Sequence, residues 1–242
     1  MQIKPLGSGL IHRTFEVNSI TEGKKIVLQC LNQHTFPQPE NIINNYRQIY
    51  NHLQLQHPGR IVIPAMILTH HGKLFWVDDS GNFWRATEFM LNTYSPSVSK
   101  NPQEAYEAAK CFAVFTSLLS GVDLSSLNII IPNFHDLSFR FQQFEDVIRK
   151  ADIKRLLKST HLIAELRQRV QLVSFYKSML INPSYIQRVM HHDCKINNIL
   201  FDTDTNLPVC PVDLDRTMAG FFFSDFGDMI PTLACSVDEN ST

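Results

Sequence analysis

Apolar residues along this 242-residue chain keep a two-residue rhythm at first and a helical one later. In "GLIHRTFEV", Gly9 to Val17, and "KKIVLQCL", Lys24 to Leu31, the apolar and β-branched positions are those of two strands, and "TEG" between them supplies turn residues. An antiparallel hairpin is predicted. "FPQPENIINNYRQIYNHLQLQHPG" then places Ile42, Tyr46, Ile49, Tyr50 and Leu53 at helical spacing, between prolines suited to a helix start and a stop at Pro58-Gly59. Residues 60 to 90 return to strand patterning, with turns at His71-Gly72 and Asp79-Ser80-Gly81, and predict three more strands. Beyond "NPQE" the period turns helical: Tyr106, Ala109, Phe112, Ala113, Thr116 and Leu119 form one stripe, and Gly121 is placed to end it. Further helices are predicted over 132–151, 152–180 and "NPSYIQ", 182–187, and two short strands, "NILFD" and "PVCPVDLD", flank the polar turn "TDTN".

The order is a mainly antiparallel sheet with one inserted helix, then helices, then a polar loop and a hairpin. It predicts an α+β fold of two lobes, residues 1–92 and 93–242. Hydrophobic residues at 44% and charged residues at 19% suit a globular core. A net charge of -1, with no basic run interleaved with aromatics, argues against nucleic acid as a partner. No stretch reaches the roughly 18 apolar residues of a membrane span, and "MQIKPLGSGL" lacks the apolar core of a signal peptide, so the cytoplasm is expected. Five scattered cysteines without a CxxC pair predict reduced thiols, with Cys111 and Cys194 packed in the core, rather than disulfides or zinc.

The densest chemistry lies in "HHDCKINN". Asp193 precedes Asn198 by five residues, Lys195 lies between them, and Asp213 ends the hairpin that follows. Magnesium prefers hard oxygen ligands, one or two from the protein and the rest from phosphates and water, so Asn198 and Asp213 suit it. Asp193 is thereby left as a base. A lone GxG at Gly7 and Gly9 is weak by itself, being more often an ordinary turn.

The loop resembles the H-R-D-x-x-x-x-N catalytic loop of kinases, here His191, His192, Asp193 and Asn198, with Asp213 at the place of the following metal-binding aspartate. "HHDCKINNILFD", "PVDLDRTMAG" and "SDFGDMI" are most similar to the aminoglycoside phosphotransferase-like superfamily and, within it, to the bacterial N-acetylhexosamine kinase-like branch, as are "GSGLIHRTF", "IVLQCLN" and "IPNFHDL". The resemblance implies a protein-kinase-like two-lobe fold and a kinase that moves the ATP γ-phosphate to a hydroxyl of a small molecule, a sugar such as an N-acetylhexosamine. The alternatives it leaves open are an aminoglycoside or choline acceptor, or a catalytically inactive nucleotide-binding domain.

Carried over residue by residue, Asp193 is the implied catalytic base and Lys195 a phosphate-neutralising partner, with Asn198 and Asp213 holding Mg2+. Gly7, Ser8, Gly9 and Thr14 are implied at the phosphates, Gln29 where the wider superfamily has a phosphate-pairing lysine, and Glu88 and Met90 beside adenine. Asp215 is implied as a substrate or second-metal ligand, or as a partner of Arg216. Asp225 and Asp228 of "DFGD" lie too far along to be the metal pair and are expected to cap a helix or fix the loop. Members of that family continue well past "DFGD", so an incomplete C-terminal lobe is expected.

Overall fold

The structure, a computed structural model of the chain, describes residues 1–7, 11–19 and 23–235. Strands β1 (Gln2–Pro5), β2 (Arg13–Asn18) and β3 (Lys25–Leu31) precede helix α1 (Pro39–Gln56), and β4 (Trp76–Val77) and β5 (Phe83–Glu88) follow it. All five strands join one antiparallel sheet in the order β1-β2-β3-β5-β4. The register pairs Thr14 with Gln29 and Gln29 with Arg85, which lines up three polar side chains across β2, β3 and β5. The hairpin and α1 lie where the pattern predicts them, and Ile42, Tyr46, Ile49 and Leu53 are buried.

One predicted strand does not form. Residues 61–68 run beside β5 but touch it through a single bridge, Met66 to Thr87, with Ile67 N–H donating to the Ala86 carbonyl and Glu88 N–H to that of Ala65. Pro64 interrupts the segment, and without an N–H it cannot serve a ladder.

Next come β6 (Thr93–Tyr94) and α2 (Pro102–Leu118). Asn101 caps α2 by accepting the Glu104 N–H, while the Glu104 carboxylate accepts the Lys100 N–H, so an acidic residue is drawn into the buried face. The buried stripe of the helix is therefore Glu104, Ala108, Phe112, Phe115 and Leu118; of the predicted stripe Phe112 and Leu119 are buried, whereas Tyr106 is 61% exposed and Ala113 is open to solvent.

By its own contacts the chain divides into two compact units, one of residues 1–130 with 188–242 and the other of residues 131–187. The second holds α3 (Leu137–Lys150), α4 (Ile153–Gln168) and α5 (Gln171–Ile181), each of α3 and α4 capped by an aspartate, Asp136 and Asp152. The single helix predicted over 152–180 is two, with the break at Arg169 and Val170, where the amides turn to carbonyls three residues back, and residues 182–187, also predicted helical, form a turn in which Asn182 accepts the Ser184 and Tyr185 N–H groups.

The first unit continues with β7 (Arg188–Met190), β8 (Ile199–Asp202), β9 (Pro208–Pro211), β10 (Met218–Gly220) and α6 (Phe222–Leu233). β8 pairs with β6 and β9, and β10 returns to β7. Two apolar clusters frame the segment between β7 and β8. Tyr46, Ile49 and Leu53 of α1 pack with Phe115, Val189 and Leu214, while Ala108 and Phe112 of α2 pack with Cys194, Ile196, Ile199 and Leu233.

Candidate active site

Between β7 and β8, residues 191–194 are all buried. Cys194 and Ile196 belong to the apolar cluster, which anchors the segment, whereas Asp193 and the half-buried Lys195 approach each other outside it. The backbone is pinned from behind by Asp225, in the first turn of α6, whose two carboxylate oxygens accept the N–H groups of His192 at 2.8 Å and His191 at 2.9 Å. The expected loop-fixing role of Asp225 is thus what its geometry performs. Burial and the Asp225 carboxylate push the Cys194 thiol far above its ordinary pKa, so it is a packed thiol and not a nucleophile.

His191 joins this loop to the next. Its ring meets Phe112 edge-on at 5.1 Å, and Nε2 lies 3.0 Å from the Val212 carbonyl, an acceptor, which assigns the proton to Nε2. The Val212 N–H in turn donates to the Asn198 carbonyl at 2.8 Å. Asn198 donates through Nδ2 to the Asp193 carbonyl at 2.9 Å, so its Oδ1 remains as an oxygen donor. Asp213 follows Val212 in the left-handed region, φ 58°, ψ 54°, a conformation that costs a non-glycine residue about 1–2 kcal/mol. It opens onto solvent, yet it is densely surrounded by protein. That surrounding, with Asp215 and Asp193 nearby, raises its pKa above the ordinary carboxylate value. A carboxylate crowded by like charge, with an amide oxygen on the adjoining loop, suits a hard cation. Among the described residues no group of three His, Cys, Asp or Glu side chains could hold a metal ion, so a cation there would draw further oxygens from a ligand or water.

Asp193 is 8% exposed. Its Oδ1 lies 3.1 Å from Arg216 Nη1 and 3.8 Å from Lys195 Nζ. Lys195 and Arg216 are thus two cations on the same oxygen.

Asp215 is 1% exposed. Its Oδ1 is 2.6 Å from Arg85 Nη2 and its Oδ2 is 2.8 Å from His12 Nε2. Burial works to raise its pKa, but Arg85 and His12 outweigh this and hold the carboxyl down at about 2. A substrate would reach it only by displacing a partner. Gln29 accepts from Arg85 Nε and Nη2 at 3.0 and 2.8 Å and donates to Thr14 Oγ1 at 3.2 Å, so both ends of its amide are engaged within the sheet.

Gly7 is left-handed, φ 73°, with nothing among the described residues within reach of a Cβ placed there, and the Leu6 N–H donates to the Thr14 carbonyl. Ser8 and Gly9 lie outside the described residues. Glu88 ends β5, its side chain accepting the Ala65 N–H, and Met90 follows with its carbonyl taken by Thr93 Oγ1. The structure thus brings Asp193, Lys195, Asn198, Asp213 and Asp215 onto adjoining segments tied by hydrogen bonds. Arg85, His12 and Arg216 belong to the same group, and sequence reasoning missed the first two because their partner is remote in the chain. The local signal was a charged residue, Arg85, set between Trp84 and Ala86 in a predicted strand.

A sequence model of the phosphotransferase enzyme family matches residues 2–239. Among solved structures, the GDP complex of wild-type aminoglycoside 2'-phosphotransferase-IIIa is similar at a TM-score of 0.63 and 13% identity, over 96% of this chain and 72% of that one. A related complex with GDP and kanamycin is similar at 0.63 and 14%, over 96% and 73%. An amicoumacin kinase in complex with AMP-PNP, Ca2+ and Ami is similar at 0.60 and 12%, over 96% and 64%. At these identities the structures bear on the fold, which is the α+β, kinase-like architecture that the sequence predicts.

Proposed function

This chain belongs to the phosphotransferase enzyme family, and from that premise we propose that it transfers the γ-phosphate of ATP to a hydroxyl of a sugar, in the manner of an N-acetylhexosamine 1-kinase. The observation that carries the reading is the tie between the Asp193 loop and the Asp213 turn, made by Val212 N–H to the Asn198 carbonyl and by His191 to the Val212 carbonyl. Phosphoryl transfer asks the protein chiefly for position and charge compensation, and two loops locked together supply position.

In this reading Asp193 orients the acceptor hydroxyl and takes its proton through Oδ2, since Oδ1 is occupied by Arg216. Lys195 lies beside it to face the γ-phosphate. Asn198 and Asp213 would hold Mg2+, which when bound neutralises charge on the phosphates. Gly7 and Thr14, with Ser8 and Gly9, would border the phosphates, and Glu88 and Met90 the adenine. Residues 1–92 form the proposed nucleotide lobe and 93–242 the catalytic one. Among the described residues no helix is long and apolar enough to cross a membrane, and the cytoplasm, where ATP is abundant, is the proposed compartment.

Charge pairing at the loop favours a neutral sugar over a polycationic aminoglycoside. Asp193 already faces two cations, Lys195 and Arg216, and Asp215 is paired with Arg85, which leaves less free negative charge there for ammonium groups.

The test is ADP release by the purified chain with Mg-ATP and, in turn, N-acetylglucosamine, N-acetylgalactosamine, choline and kanamycin. Turnover with an N-acetylhexosamine that vanishes in Asp193→Asn is expected. Turnover with kanamycin alone would overturn the choice of acceptor, and none with any of the four would overturn the kinase reading.

A further inference from the structure

We propose that Arg85 makes metal binding at this site depend on nucleotide: by holding Asp215 in an ion pair it leaves Asp213 as the one carboxylate of the Asp213 and Asp215 pair open to a cation, so that metal binds only together with nucleotide phosphate. The proposal rests on the phosphotransferase reading.

The two carboxylates stand two residues apart, at either side of Leu214, and their charges interact. Left free together, they would make a chelating pair for a divalent ion in the absence of any nucleotide. Arg85 prevents this geometrically. Its guanidinium is only 4% exposed, so the contact of 2.6 Å to Asp215 Oδ1 is shielded from water and salt. Gln29 fixes the guanidinium through two N–H groups, and Thr14 fixes Gln29, which extends the restraint across three strands.

His12 holds the other oxygen without adding charge. Its Nδ1 accepts the Asn32 N–H at 3.0 Å, which leaves the ring proton on Nε2, facing Asp215 Oδ2 at 2.8 Å. Arg85 is therefore the group that cancels the Asp215 charge. Stability alone is a poor account of such a pair, because a buried ion pair is often no better than apolar packing of the same volume. Arg85 Nη1 is also buried and makes no hydrogen bond among the described residues, an additional cost. A group retained at a cost beside a candidate cation ligand is explained by what it withholds from the cation.

The experiment measures Mn2+ binding by electron paramagnetic resonance, with and without AMP-PNP, on the full chain. Wild type should bind Mn2+ alone weakly and bind it at least tenfold more tightly with AMP-PNP. Arg85→Gln should bind Mn2+ alone at least tenfold more tightly than wild type, and Arg85→Gln with Asp215→Asn should return to within about threefold of wild type. Asp215→Asn alone leaves an uncompensated guanidinium by the cation and should weaken Mn2+ binding with AMP-PNP tenfold, a loss that adding Arg85→Gln repairs. This second comparison decides the matter should Arg85→Gln fail to fold. Unchanged Mn2+ affinity in Arg85→Gln, or a gain that persists in the double variant, would overturn the proposal while leaving the kinase reading intact. Failure of wild type to bind Mn2+ even with AMP-PNP would overturn the kinase reading, and this proposal with it.

Discussion

The ring of His192 fills the space where any side chain at Gly220 would stand: a Cβ built there lies 2.4 Å from His192 Cε1 and 2.5 Å from Nε2. Gly220 ends β10 opposite Arg188 of β7, so the strand pair and the ring compete for one volume, and glycine resolves the competition. Gly220→Ala should destabilise the protein by about 1–3 kcal/mol, the usual cost of overpacking. His192 is itself left-handed, φ 62°, so His192→Gly relieves backbone strain as it removes the ring. The double variant should recover most of the loss in a urea titration. A Gly220→Ala protein that unfolds at the wild-type midpoint would refute this account.

The same pair marks the limit of what the sequence makes legible. The loop "HHDCKINN" could be read locally, because its alternation of apolar and polar residues and its distance to the hairpin are sequence properties, and the hairpin and α1 followed from periodicity. Partnerships across the fold could not. Arg85 and Asp215 lie 130 residues apart, and neither names the other. Asp225 sits on a helix whose register to His191 and His192 depends on packing. The α2 stripe was legible only in part, at Phe112 and Leu119, for a similar reason: Glu104 reads as a solvent residue until its reciprocal bonds at the helix start are seen.

Asp225→Ala leaves two buried N–H groups, those of His191 and His192, without their acceptor. Each orphaned group costs about 1–3 kcal/mol, so a marked drop in the chemical-denaturation midpoint is expected, with Asp225→Asn intermediate because one acceptor oxygen survives. Cys194, released from the carboxylate that suppresses its ionisation, should also react faster with a thiol reagent, as peptide mapping would record. Equal labelling of Cys194 in both proteins would contradict the clamp.

The raised pKa of Asp213 makes a statement about stability. A carboxyl with a higher pKa folded than unfolded favours folding while it is protonated and loses that contribution as pH rises from the unfolded value through the folded one. Asp213→Asn, which cannot ionise, should match wild type in acid and melt above it near neutrality in the absence of metal and nucleotide. The added stability should come with loss of Mg-ATP-dependent stabilisation, as expected where a functional group is held at a cost. Melting curves at a series of pH values check this, and a neutral-pH melting temperature below wild type would count against it.

Arg216 and Asp193 act as a unit if the ion pair at 3.1 Å serves to present the carboxylate. Asp193→Asn should lower turnover by about 10²–10⁴-fold, the usual worth of a positioned base. Arg216→Ala should lower it less, because Lys195 remains 3.8 Å from the same oxygen, and Arg216→Lys should restore part of the loss by returning the charge without the fixed fork. The informative measurement is the double variant. If Arg216 works through Asp193, removing both should cost no more than Asp193→Asn alone, since nothing is left to orient. If the two losses multiply instead, Arg216 acts on the nucleotide or acceptor directly, and the kcat and KM of the single variant show which.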